Sequence, residues 1–414
     1  MANHPAAIDH LLRHPYVDKL FAFGHANDLD IRLVGGAVRD ALASWTDGLK
    51  KEADLDFAVN IPIERFIPLA QDAGYHIIPT GLSHGTVTVI DGGNKAEITQ
   101  LRYDLDTDGR HADTCFTDDW AADAHRRDFT INAIYLDGAG QLFDPCGGIA
   151  DLAARQLRFI GEAKARLEED YLRLLRAIRF LSEYPELEMS STELMVIKAE
   201  AENLARLSAE RNTAETSRIF AGQGVDRAVR LIHRLGIDRQ ILGAPICPKF
   251  TDSDRSPLSD SQMASWFRKS ELADQLVLVA SDSKALEIML TCRLKLSRHQ
   301  QKKLLANSRL LSSRDELATA SQSLSGDDWQ KSCFRLGNLA SFAYLHGCFS
   351  DAVRWQENRM RQIVHFVPPT CPISGQDVIV RYDVTGREVG VILDALTTRW
   401  IDSDFTLSKS ELLS

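Results

Sequence analysis

Apolar and polar positions divide the chain near residue 150. Before it, short apolar runs alternate with glycine and polar clusters. Ile31 to Val34 ends at Gly35-Gly36, and Asp54 to Val59 alternates. Gly85 to Ile90 and Ala96 to Leu101 flank Asp91-Gly92-Gly93-Asn94, a hairpin signal. Ile131 to Leu136 is a further run. These runs predict a small mixed sheet with flanking helices. After Asp144-Pro145-Cys146-Gly147-Gly148 the apolar residues recur at helical spacing, as in Leu172, Leu175, Ile178 and Leu181. The fold class expected is therefore α+β: a small mixed-sheet head followed by an elongated, all-helical remainder. Two stretches read as joints, Thr251 to Ser261 and Phe366 to Pro372. With them the expected divisions fall at 1–145, 146–250, 251–370 and 371–414.

Length and charge narrow the picture. A chain of 414 residues is too long for one small core. Its net charge of −10, taken alone, counts against a nucleic-acid partner, because phosphate binding relies on Lys and Arg. A global sum hides local patches, however. The stretch Arg293 to Arg314 holds seven cations and no acid, and it fits either a phosphate contact or a solvated helix face. Arg298, Lys302 and Lys303 are its candidate phosphate contacts. The seven cysteines are odd in number and lack CxxC spacing, which argues against a disulfide framework and a zinc cluster. No stretch approaches the ~20 apolar residues of a membrane span. The first residues lack the apolar core of a secretory signal. These features lead us to expect a cytoplasmic protein with no membrane contact and no obligate protein partner.

Three clusters carry candidate chemistry. Gly35-Gly36 sits between a strand and a helix, where glycine lets the backbone approach a ligand and free N–H groups face an anion. A Gly-Gly turn without any ligand is the commoner case. Asp54 and Asp56 are two apart on a strand and so share a face. Paired carboxylates repel unless a cation lies between them, and oxygen ligands suit Mg2+. A solvated acidic edge is the alternative. Glu97, on the hairpin, is a candidate third carboxylate. Finally, Asp170 and Arg173 are three apart in a helical pattern. Spacing alone fits an ordinary i,i+3 salt bridge.

The order of these clusters carries more than any one of them. GGAVRD (35–40), DLDFAV (54–59), HGTVTV (84–89), EITQLR (97–102), DGRH (108–111), RRDFTINA (126–133) and EDYLRLLRAIRF (169–180) follow one another. This succession resembles the class II tRNA nucleotidyltransferase and bacterial poly(A) polymerase family, within the DNA polymerase β superfamily. The resemblance implies a nucleotidyltransferase head, a helical neck, an RNA-binding body and a tail. It implies that Gly35 and Gly36 cradle a triphosphate and that Asp54 and Asp56 hold Mg2+. Arg39, Arg110, Arg126, Arg127, Asp128 and Asn132 would address the nucleotide's phosphates and ribose. Asp170 and Arg173, with Arg176 and Arg179 on the same helix, would read the base edge.

An Asp acceptor beside an Arg donor complements cytosine and adenine, whereas uracil and guanine would set a carbonyl against the carboxylate. The implied activity is addition of CCA to the 3′ end of tRNA from CTP and ATP. Poly(A) synthesis, A-only or CC-only addition, and an inactive RNA-binding relative remain alternatives. Tyr103 to His125 resembles the family's flexible loop. Glu210 and Arg211 fall in a segment resembling a helix under the nucleotide site, and are read as structural.

Overall fold

The computed structural model describes residues 6–43, 55–107, 112–247, 250, 261–280, 283–292, 294–302, 304–305, 314–336, 340–349 and 353–414. Asp54, Arg110, Lys303 and residues 251–260 of the first joint lie outside these. The chain forms two compact units, one of residues 1–245 with 291–295, the other of 246–290 with 296–414. Among the described residues no helix is long and apolar enough to cross a membrane.

The first unit opens on a mixed sheet. Its strands are β1 (Ile31–Val34), β2 (Asp56–Val59), β3 (His76–Gly81), β4 (Thr86–Asp91), β5 (Asn94–Gln100), β8 (Tyr135–Leu136) and β9 (Leu142–Phe143). Their order is β3-β4-β5-β2-β1-β8-β9. β2 and β5 run parallel, and the neighbours on either side are antiparallel. β6 (Arg102–Thr107) and β7 (Ala112–Phe116) form a separate ribbon.

Strand alternation decides what each face carries. Leu33, Phe57, Val59, Val87 and Ile98 are buried on one face, against helices Pro15–Ala26 and Ile63–Asp72. Edge-to-face contacts Phe21–Phe57 and Phe23–Phe66 join those layers. The opposite face carries Val34 and Ala58, packed with Leu101, Ala124 and Tyr135. Asp56 therefore points to this second face, at the end of β2.

The sequence pattern misjudged two segments. Ile131 to Leu136 is not one strand. Thr130–Asn132 is a 3₁₀ turn, and only Tyr135–Leu136 pairs with β1. The polar side chains there find partners instead: Thr130 donates to Asp151 Oδ2 at 2.7 Å, and Asn132 donates to Asp128 Oδ1 at 3.1 Å. Tyr103 to His125, read as a loop, contains the β6–β7 ribbon and helix Trp120–His125.

Beyond Phe143 the described residues form helices and isolated bridges. Helix Leu172–Glu183 buries Leu174, Leu175, Ala177, Ile178 and Leu181, which turns Arg173, Arg176 and Arg179 to its other side. It crosses helix Ala209–Ala221 closely. Ser182 Oγ donates to the Ile219 carbonyl at 2.6 Å, and the Gly224 N–H donates to the Ser182 carbonyl at 2.6 Å. A Cβ at Gly222 would lie 2.2 Å from Ser182 Oγ and 2.7 Å from its backbone. Only glycine fits there.

The second unit is helical in its described part. Its last helices, Gly375–Tyr382, Arg387–Asp402 and Lys409–Leu412, enclose Val378, Leu396, Trp400, Ile401 and Leu412. Ser408 and Glu411 close the last of them with a capping box.

Candidate active site

The second face of the sheet and the arginine side of helix Leu172–Glu183 bound one cleft of about 650 Å³. Gly35, Gly36 and Asp56 form one wall; Arg126, Arg127, Asp128 and Asn132 a second; Asp170, Arg173, Arg176 and Arg179 a third. Residues scattered over 145 positions of sequence thus meet in one place. Arg102, Arg211 and Tyr184 also line the cleft. Sequence reasoning passed over Arg102 and Tyr184.

Each wall has a local cause. Gly35 holds φ +80°, a left-handed conformation that L side chains rarely adopt, where β1 turns into helix Gly36–Leu42. A Cβ there would lie 3.6 Å from Asp56 Oδ2, so the turn and the carboxylate are neighbours. Glu97 is the register partner of Asp56 on β5. Paired residues of adjacent strands share a face, yet Glu97 is exposed and not part of the cleft lining.

A continuous polar chain runs along the second wall. Arg39 is buried; it donates to Asp40 Oδ1 at 2.9 Å, to Asn132 Oδ1 at 2.8 Å and to the Tyr184 hydroxyl at 2.5 Å. Its guanidinium is committed inside the protein, where it orients Asn132. Asn132 donates to Asp128, whose other oxygen accepts from Arg176 Nε at 2.6 Å. Burial alone would raise the Asp128 pKa. The Arg176 charge, with hydrogen bonds from Asn132, Arg176 and the Phe129 N–H, holds it below the ordinary carboxylate value.

Behind that wall lies Asp123, 1% exposed, on helix Trp120–His125. Oδ1 accepts from Arg126 Nε at 2.8 Å, and Oδ2 accepts from Arg127 Nη2 at 3.1 Å and the Tyr135 hydroxyl at 2.7 Å. Burial pushes this carboxyl up, but Arg127, Arg126 and Tyr135 overcome it, bringing it from 3.8 down to about 2. A depressed folded-state pKa stabilises the fold above the unfolded value, and that stability is lost as pH falls through the folded value. Asp123→Asn is therefore expected to cost about 2 kcal/mol at neutral pH. The gap from wild type should close as pH drops from ~4 to ~2. Urea melts across that range check it; a gap independent of pH would contradict the ionic account.

The third wall departs from the sequence reading. Asp170 and Arg173 are not an i,i+3 pair within one helix. Asp170 is extended, at φ −156° and ψ 104°, between helices Ala163–Glu169 and Leu172–Glu183. Its Oδ1 accepts from the Leu172 N–H at 3.0 Å, and Oδ2 pairs with Arg211 at 2.7 Å. Arg173 pairs instead with Glu169, and donates to the Arg166 and Arg126 carbonyls at 3.0 Å each. The two side chains face one cleft from separate anchorages. Arg211, read as structural, belongs to the cleft because helix Ala209–Ala221 carries it there. The spacing between Asp170 and Arg211 offered no sequence signal for this contact.

Of the basic stretch, Arg298 and Lys302 are exposed, whereas Lys295 pairs with Glu210. The acid missing from the stretch itself comes from another part of the chain.

A small mixed sheet ending in an arginine-walled cleft is the form of a nucleotidyltransferase head, and residues 31–158 match the family model of the poly A polymerase head domain. The chain is 32% identical over 403 residues to the CCA tRNA nucleotidyltransferase 1, mitochondrial, of Mus musculus, covering 93% of this chain and 86% of that one. It is 38% identical over 221 residues to the CCA-adding enzyme of Oceanobacillus iheyensis, over 52% of each chain. A solved structure of the Bacillus stearothermophilus CCA-adding enzyme in complex with CTP has the same fold, with TM-score 0.72, 24% identity and 94% of each chain covered. The chain belongs to the CCA tRNA nucleotidyltransferase family. It is an enzyme, a transferase whose family implies use of a divalent metal.

Proposed function

We propose that this chain adds C, C and A in turn to the 3′ end of tRNA, using CTP and ATP and releasing pyrophosphate, without a nucleic-acid template. The observation that carries the reading is the meeting, in one cleft, of Asp56, the Arg126–Asp128 wall and the Asp170/Arg173 wall. The relatives named for CCA addition support it over poly(A) synthesis.

The roles follow from the chemistry of each wall. Gly35 and Gly36 let the triphosphate approach the backbone. Arg126 and Arg127 offset its charge, and the family resemblance would add Arg110 to them. Asp128, fixed by Arg176, accepts from a ribose hydroxyl, and Asn132 supports it. Arg39 acts through Asn132, and Arg179 is paired to Glu215. Asp170 and Arg173 read the base edge. Arg173 spends three of its five N–H groups on Glu169 and two carbonyls, by the bonds seen among the described residues. The other two suit a ring-nitrogen acceptor and its neighbour.

The cleft end of β2 offers carboxylate oxygens beside arginines, which fits a hard divalent cation. Asp54 and Asp56 would hold Mg2+, which when bound lowers the pKa of the attacking 3′-hydroxyl and offsets charge on the leaving pyrophosphate; Glu97, exposed and outside the cleft lining, is only a candidate third carboxylate.

We assign residues 1–145 to a catalytic head, 146–250 to a neck carrying the base-reading helix, 251–370 to an RNA-binding body and 371–414 to a tail. The tRNA acceptor arm would be held by shape and phosphate contacts. A reducing cytoplasm suits the free cysteines among the described residues.

The test is incubation with tRNA lacking CCA and each nucleoside triphosphate, alone and in combination. Two C additions with CTP alone, and one A only after CC, are expected; a long A tract from ATP alone would favour the poly(A) reading. On the RNA side, replacing Lys302 and Lys303 by Ala should weaken tRNA binding and reduce the salt slope by about 1 per lost phosphate contact. An unchanged slope would make them a solvated face.

A further inference from the structure

Asp123 has no surface on the cleft, yet it touches what the cleft depends on. One buried carboxylate accepts from Arg126, Arg127 and Tyr135, and its Oδ1 also accepts from the backbone N–H of Arg102 at 3.3 Å. Arg102 begins β6 and is itself a lining residue of the cleft. The carbonyl of Arg126 accepts from Arg173 Nη2 at 3.0 Å, so the same short segment also steadies the base-reading wall. Arg126 and Arg127 are adjacent in sequence, and adjacent long side chains tend to diverge. A single carboxylate with one oxygen for each is what turns them toward one ligand.

We infer that Asp123 is a positioning residue for nucleotide binding: it sets the two guanidinium groups against the triphosphate and ties their placement to the start of the β6–β7 ribbon. This rests on the reading of Arg126 and Arg127 as phosphate contacts. The chemical consequence is selective. Removing the charge on Asp123 lets the arginines swing while leaving sugar and base contacts in place. What weakens is affinity for the phosphate part of the ligand, shared by CTP, ATP and pyrophosphate.

The experiment compares Asp123→Asn with wild type in the full chain. CTP and ATP affinity are measured by titration calorimetry, pyrophosphate by product inhibition, and tRNA by filter binding, all well below the melting temperature. All three phosphate ligands should weaken by one common factor, roughly ten- to thirtyfold. tRNA affinity and the ratio of CTP to ATP use should stay unchanged.

Tyr16→Phe is the control for stability alone. It removes a buried hydrogen bond to the Val89 carbonyl, 2.7 Å long, on the far side of the sheet. It should leave pyrophosphate inhibition as in wild type. Should Asp123→Asn not fold, Asp123→Ser, which drops the charge and leaves room for water, carries the same comparison.

Wild-type nucleotide and pyrophosphate affinity in Asp123→Asn, with loss in Arg126→Ala and Arg127→Ala, would overturn the positioning role. Wild-type affinity in the two arginine variants as well would overturn the phosphate reading beneath it. An equal loss in Tyr16→Phe would reduce the effect to general loosening.

Discussion

Asp54→Ala and Asp56→Ala are each expected to abolish nucleotide addition, by roughly 10³-fold or more, with little change in melting temperature. Asp56 stands at the end of β2, half-buried, opposite Val34 and beside Glu97 in the sheet register. The strand's hold on the core comes from Phe57, Ala58 and Val59, all at most 1% exposed, and not from the carboxylate. On the proposed metal-holding role, removing the Asp56 carboxylate from such a strand should cost chemistry far more than stability. Single-turnover rates on tRNA ending before the CCA, with a thermal melt of each variant, make the comparison. A folded Asp56→Ala protein with near wild-type turnover would remove the two-carboxylate centre from the account. Glu97→Gln grades the third carboxylate on the same scale.

Asp170 and Arg173 carry the second large effect, and here the structure sharpens the expectation. A pair bonded to each other would couple in stability, and a double-mutant cycle would report that coupling. These residues are anchored separately, Asp170 on Arg211 and Arg173 on Glu169. Their direct coupling in stability should be near zero, while their coupling in nucleotide choice should be large. Asp170→Ala loses the acceptor for an amino group, so UTP or GTP use should rise relative to CTP and ATP. The relative kcat/KM should move by about ten- to a hundredfold, the worth of one or two unsatisfied groups in a buried site. Arg173→Ala loses the donor for the ring nitrogen and should chiefly weaken the correct nucleotides. Relative kcat/KM for four triphosphates, on tRNA ending before CCA and on tRNA ending in CC, decides the matter. Wild-type ratios in both variants at both steps would place selection elsewhere in the cleft.

Much of this cleft was legible in the sequence because its residues stand in short runs with a strong local pattern. Strand alternation separated Asp56 from Phe57, and helical periodicity put Arg173, Arg176 and Arg179 opposite Leu174, Leu175 and Ile178. What escaped was pairing across distance. Nothing in the sequence of Asp170 points to Arg211, 41 positions on, and three-residue spacing favoured Arg173 as its partner. Asp123 escaped for a related reason. A buried acid on a short helix reads as a surface residue until the strand that covers it, with Tyr135, is in place. The apolar run at 131–136 misled because Asn132 within it and Thr130 just before it are satisfied by Asp151, Arg39 and Asp128, residues outside the run.

The tight crossing at Gly222 and Ser182 limits how the enzyme can pass from accepting C to accepting A. At one end, helix Leu172–Glu183 meets a backbone so close that axial travel would drive Ser182 into Gly222. At the other, Arg211 of the same crossing partner grips Asp170. The two helices are thus coupled like meshed parts, and a one-turn slide of about 5.4 Å is closed to them. If Asp170 and Arg173 read the base edge as proposed, a larger base would be admitted by torsion of their side chains, or by both helices turning together as one rigid piece. Cross-linking the pair near residues 182 and 222 should leave the C-to-A transition intact, whereas a device that depended on sliding would seize.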